Sequence, residues 1–401
     1  MERELSEIMG TMAALAVAAA GEPDSPVEAE EWISSLVGTW QVGPIPDPDA
    51  DRLFGSGFVL ALEHLGGSGA LAVLRALAAV GGESYASLAR QAADRLASVG
   101  VLDLPWSEGL GQARPVDAML MCDDEGLDDG VSVMVEFAAP GIETHTLGVY
   151  IDHNMGGLVK DAFLAGPLSS VREDLERNAP DRDRIALRDL DLAEARARVR
   201  DALEILDHTL EPPVDEDVRP LRAFMYARIR TLPEGGAWGQ DKEPEITPEE
   251  RERLLADFLD SPDGRRWRED DDARYVIELA IDFGADYNHG GPLRWSPVVV
   301  EIFMTDWLAR KVTCEPEFFE RVPDVLRDWV KFAGQRRGVP AAALREAVAA
   351  VRAFREEMLD LVNDPETWGP AKTFAMAAQQ AGVDLSDPDA VGAFVERHNE
   401  D

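Results

Sequence analysis

The chain has 401 residues, 45% of them apolar, with 77 acidic against 39 basic residues and a formal net charge of −38. That apolar content is enough for buried cores, which excludes a globally disordered chain, and the length predicts two or three domains. The charge excludes direct nucleic-acid binding through a basic face, because a polyanion would be repelled. The imbalance is steepest at the start: residues 1–151 hold 24 acidic and six basic residues, none of them lysine.

Cys122 and Cys314 are the two cysteines, and neither belongs to a CxxC pair. A disulfide framework and a Cys-rich zinc site are therefore excluded, and a reducing cytoplasm fits. No apolar run approaches the roughly 18 residues of a membrane span, so no membrane insertion is expected. Met9–Ala20 is apolar enough to suggest a secretory leader. The residues before it, however, carry Glu2, Glu4 and Glu7 against Arg3 alone, and a leader needs a positive flank. The stretch reads instead as an Ala-rich amphipathic helix.

In chain order, Glu2–Ala20 is a good helix former. Ser25-Pro26 reads as an N-cap followed by proline at the first helical position, leading into Val27–Leu36. Pro44, Pro46 and Pro48 predict a stiff connector over Gly43–Asp51. Helices follow over Phe58–Leu65, Ala70–Val80 and Tyr85–Val99, punctuated by Gly66-Gly67 and Gly81-Gly82. From Pro115 the period changes to two. Val131, Val133, Val135 and Phe137 alternate with polar or smaller residues, and after the Pro140-Gly141 turn so do His145, Leu147, Val149 and Ile151. With Ala118–Cys122 ahead of an acidic hairpin loop at 123–130, this predicts a three-stranded antiparallel meander. Residues 158–165 (LVKDAFLA) read as a return to helix. Further helices are predicted over Leu192–Leu210, Val218–Leu232, Glu249–Asp260, Asp272–Phe283, Val298–Lys311, Pro316–Phe332, Ala341–Leu361, Ala371–Ala381 and Pro388–His398. Pro233–Pro244 is the strongest linker signal, and Thr247-Pro248-Glu249-Glu250 the strongest helix start.

The expected fold is thus α+β, predominantly α-helical, with one small antiparallel β-meander at about residues 116–152. The expected organisation is an acidic helical N-terminal domain ending in the meander (1–166), a helical connector (167–240) and an all-helical C-terminal domain (241–401).

Chemistry concentrates at the exit of the third strand. Asp152, His153 and Asn154 sit at a strand end, followed by Gly156-Gly157 and Lys160 and preceded by Tyr150. Catalytic groups often occupy such ends. His153 has an ordinary pKa of about 6.5, suited to a general base, with Asp152 as its orienter. Tyr150, Gly156, Gly157 and Lys160 would bind ligand. The competing reading is a turn with an Asx-type cap and glycines for backbone freedom. A second stretch, Asp286-Tyr287-Asn288-His289-Gly290-Gly291, echoes the first, so His289 is added as a ligand-binding candidate. His145 shares strand parity with His153, but eight residues of strand separate them by about 26 Å, too far to share one ion. No metal and no cofactor is expected. Asp306 and Arg310, four apart, predict a helical ion pair. Arg265-Arg266-Trp267-Arg268 is basic and aromatic but is followed at once by Glu269-Asp270-Asp271-Asp272, so it reads as a solvated face. No P-loop, HExxH helix, nucleophile elbow or GxGxxG fingerprint occurs.

Three stretches resemble a family of actinobacterial cytoplasmic proteins with no established activity: HTLGVYIDHNMGGLVKDAFLAGPL at 145–168, WSPVVVEIFMTDWLARKV at 295–312 and VPDVLRDWVKFAGQRRGVP at 322–340. The resemblance covers under a quarter of the chain. It implies a bacterial cytoplasmic protein and carries over no catalytic residue. The residues themselves favour a non-catalytic interaction or regulatory protein with an acidic surface and a basic protein partner. A hydrolase-like enzyme built on Asp152-His153-Asn154 is the alternative. They do not indicate an oligomeric state.

Overall fold

A computed structural model describes residues 2–40, 48–179, 184–210, 212–237, 246–383 and 394. Most of the proline connector, the second half of the 233–244 linker and nearly all of the helix expected at Pro388–His398 lie outside these residues. The chain forms two compact units, one of residues 1–123 and 130–241, the other of residues 124–129 and 242–401.

Capping side chains set the helix starts. Ser25 Oγ accepts from Glu28 N–H at 3.2 Å, with Pro26 next in line. In the first unit the helices are α1 (Glu2–Ala19), α2 (Pro26–Gly38), α3 (Pro48–Leu65), α4 (Gly67–Val80) and α5 (Glu83–Ser98). The third starts ten residues before the expected Phe58 because Pro48 opens it. Proline's missing N–H is harmless at that position. Ile33, Phe58, Leu62, Leu71 and Leu74 fill the core of this bundle.

A five-stranded antiparallel sheet follows: β1 (Arg114–Asp123), β2 (Gly130–Ala139), β3 (Ile142–Asp152), β4 (Leu158–Ala165) and β5 (Ile185–Asp189), in the order β4-β3-β2-β1-β5. The expected meander is β1-β2-β3, with Val133 opposite Val149. Two expectations are corrected. Residues 158–165 are strand, not helix: Gly156 (φ 77°) and Gly157 (φ 87°) reverse the chain tightly, so Leu158 and Ala162 pair back onto β3. The expected helical connector (167–240) likewise includes a strand, because β5 pairs with β1 from Met119 to Asp123.

Period two is realised as two differently covered faces. Val131, Val133, Val135, Phe137, Leu147, Val149 and Ile151 pack with α7 (Leu192–His208) and α8 (Val218–Ile229). On the opposite face Met119 and Met134 pack with Leu168 of α6 (Leu168–Asn178). Helix α8 serves two cores at once: Ala223 and Ala227 join the bundle, and Phe224, Met225 and Ile229 join the sheet. Ser34 of α2 fastens it there. The Ser34 hydroxyl donates to the Pro220 carbonyl at 2.6 Å and accepts from Phe224 N–H at 2.9 Å, the two groups that ordinarily close one helical rung. Gly38 permits the approach, since a Cβ there would stand 2.8 Å from the Arg219 carbonyl.

The second unit is helical among the described residues: α9 (Pro248–Asp260), α10 (Asp271–Asp286), α11 (Pro297–Glu301), a π-helical turn (Ile302–Trp307), α12 (Leu308–Lys311), α13 (Pro316–Arg337), α14 (Ala341–Ala353), α15 (Arg355–Asn363) and α16 (Pro370–Gln380). Thr247 and Glu250 complete a capping box at the first of these. Phe258, Phe283, Phe303, Leu326 and Trp329 lie in its core. Among the described residues no helix is long and apolar enough to cross a membrane.

Candidate functional site

The β3–β4 turn gathers most of the residues singled out in the sequence. Asp152 and His153 are buried, Asn154 and Tyr150 are half-buried, and Lys160 stands opposite on β4. Asp152 Oδ1 accepts from Asn154 N–H at 2.9 Å, and Oδ2 from Lys160 Nζ at 2.9 Å. Both oxygens are therefore engaged by groups other than the neighbouring imidazole. The carboxylate caps the short 3₁₀ turn at His153–Met155, and Gly157 N–H returns to the Asp152 carbonyl at 2.9 Å. Lys160 is a half-exposed partner for a nearly inaccessible carboxylate. This is the hydrogen bonding of an Asx-type turn.

His289 belongs to the second unit and is exposed. Its loop is organised around Arg294, whose side chain is fully buried. Arg294 Nη2 donates to Asn288 Oδ1 at 2.5 Å and Nε donates to the His289 carbonyl. Nη1 reaches the Asp128 carbonyl at 3.0 Å and Asp129 Oδ1 at 3.2 Å, and Ser296 Oγ donates to the same Asp129 oxygen at 2.5 Å. Arg294 thus ties the two sequence stretches of this unit together. Gly290, at φ 92°, gives the guanidinium room, because a Cβ there would meet Arg294 Cδ at 2.5 Å. Asp306 and Arg310 form the expected exposed pair at 3.4 Å.

A third constellation, in the first unit, escaped the sequence reading. Glu30 of α2, Arg228 of α8 and His145 of β3 meet in the interior, each nearly inaccessible to solvent. Arg228 Nη2 donates to Glu30 Oε2 at 2.5 Å and Nε donates to His145 Nε2 at 3.1 Å. Gly111 N–H donates to Glu30 Oε1 at 2.6 Å, and His145 Nδ1 lies 3.0 Å from the Glu143 carbonyl. A neutral imidazole with its proton on Nδ1 satisfies both histidine contacts. Burial, and then the Arg228 charge, push the His145 pKa down to about 4. The Arg228 guanidinium also lies over the Phe224 ring, 4.1 Å from its centroid. The one sequence signal was parity, which placed His145 on the face of Leu147 and Val149. Nothing local to Glu30 or Arg228 announced their pairing.

Comparison with known protein families, with curated proteins and with solved structures gives no match.

Proposed function

We propose that the chain is a non-catalytic interaction or regulatory protein of the bacterial cytoplasm that engages a basic protein partner through an acidic face. The carrying observation is a set of carboxylates in the first unit: Glu28, Glu31, Asp161, Asp215 and Asp217. Burial, then Glu28 and Asp217, raise the Glu31 pKa; burial raises that of Asp161, with Asp215 and Asp217 adding to it against the Ala162 N–H bond. Asp217 acts on both. Among the described residues none of the five has an ion pair with a cation. Folded pKa values above the ordinary ones at Glu31 and Asp161 mean that ionising these two works against the fold as pH rises, and a bound cationic surface would relieve the repulsion. The resemblance to actinobacterial cytoplasmic proteins accords with the proposed setting. The hydrolytic alternative has no comparable support, because Asp152 is spent on Asn154 and Lys160.

The test immobilises the full chain, captures binders at low ionic strength, and titrates the purified binder against wild type and Asp217→Asn. The reading expects release as salt rises and several-fold weaker binding to the variant. It also expects the free variant to unfold at slightly higher denaturant than wild type at neutral pH. A binder indifferent to both salt and the substitution, or no binder at low salt, would end the proposal.

A further inference from the structure

The first unit holds a crevice of about 390 Å³ bounded by α4, α5, the end of α8 and the stretch before β1. Small side chains keep it open: Ala78, Ala79, Ala113 and Ala227 line its apolar wall. Its charged groups are mostly arginines. Arg228 contributes from the interior, and Arg90 and Arg230 stand exposed beside it, with Glu83 the acid that also lines the space.

Two features bear on what this crevice can hold. The Arg228 guanidinium is held on two edges, by Glu30 and by His145, while its Nη1 has no hydrogen-bond partner among the described residues. The side chains of Arg90 and Arg230 make no hydrogen bond and no ion pair among the described residues. Two arginines without a partner among the described residues therefore stand beside a third that is pre-oriented, and together they give the crevice a positive lining. Arg114 adds to it, and its charge is felt at Arg228. An adjoining lobe of about 480 Å³ shares Ala78, Ala79, Arg90 and Gly111 and is lined by Ser107, whose buried hydroxyl has no hydrogen-bond partner among the described residues. A planar guanidinium with one free edge, fixed in orientation, suits an oxyanion better than an apolar ligand.

We propose that this crevice binds a small molecule carrying an oxyanion, a phosphate or a carboxylate, with Arg228 Nη1 donating from the floor and Arg90 and Arg230 closing on it from the rim. The site shares no residue with the acidic face, so either reading stands or falls without the other.

The test titrates the full chain, at ionic strength fixed with chloride, against inorganic phosphate, glycerol phosphate and succinate, read by calorimetry and by the shift in thermal unfolding. Saturable binding of at least one probe is expected, and the probe that binds tightest distinguishes phosphate, phosphate ester and carboxylate. R90Q/R230Q, altered only at exposed side chains, is expected to weaken binding about tenfold or more. R228K, which keeps the charge but loses the fork, is expected to weaken it as well. R345Q, which removes an exposed arginine of the second unit, is expected to bind as wild type does. The proposal is overturned if no probe binds up to roughly 10 mM, if R90Q/R230Q binds like wild type, or if R345Q weakens binding as much as R90Q/R230Q.

Discussion

Glu30→Gln isolates the buried ion pair with little change in shape. Glu30 and Arg228 are each 3% exposed and 2.5 Å apart, so the substitution leaves a guanidinium where burial already disfavours charge. Removing one partner of a buried pair costs about 3–5 kcal/mol. Glutamine can still accept from Gly111 N–H, which places the expected loss near the lower end, about 3 kcal/mol. Set against a total stability of about 5–15 kcal/mol, that is a large fraction. The double variant Glu30→Gln/Arg228→Met removes both charges, leaving the His145 Nε2 acceptor and the new amide's NH2 donor unpaired. It is expected to lose about 1–2 kcal/mol, less than the single change. Denaturant unfolding followed by circular dichroism measures both, with the two units fitted as separate transitions because they need not melt together. A single-variant loss below about 1 kcal/mol, or a double variant costing the sum of the two singles, would refute the reasoning.

Two further outcomes follow, one from the buried His145 and one from the Arg294 loop of the second unit. The folded His145 pKa is depressed to about 4 from 6.5, so between those values the unfolded chain binds the extra proton and stability falls as pH drops. The gap is worth about 3 kcal/mol between pH 7 and pH 4; His145→Gln, which cannot titrate, should lose that part of the slope, and parallel stability–pH curves would contradict the assignment. Gly290→Ala and Gly338→Ala both place a side chain at positive φ (92° and 77°), but only at Gly290 does the new Cβ meet Arg294. The first should cost the second unit about 3 kcal/mol and the second about 1, and equal midpoint shifts would show that Arg294 is not constrained by that glycine.

The α-helical frame and the first three strands were legible because their signals are local: capping residues, breaker pairs and a period of two over consecutive positions. The fourth strand was not. LVKDAFLA has too few residues for its apolar spacing to separate strand from helix, and the outcome is decided by the Gly156-Gly157 reversal that delivers it to β3. The fifth strand has five residues and becomes one by pairing with a neighbour more than sixty positions earlier. At the turn after β3, the sequence showed which polar residues would meet but not their partners: Asp152 turns to Lys160 across the β3–β4 pairing. The Glu30–Arg228 pair was out of reach for a plainer reason. Its members are 198 residues apart, and an arginine inside FMYARIR looks like the polar stripe of a surface helix until both sides of α8 are known to be covered.

The Ser34 hydroxyl at α8 bears on the order of events during synthesis. Ser34 precedes Pro220 by 186 residues, so the opening turn of α8 borrows a group made long before it. On the ribosome the donor waits in an N-terminal bundle while the strands are still being made, and α8 is finished as it emerges against a surface already in place. Refolding from denaturant has no such head start, because the same encounter must close a loop of nearly half the chain.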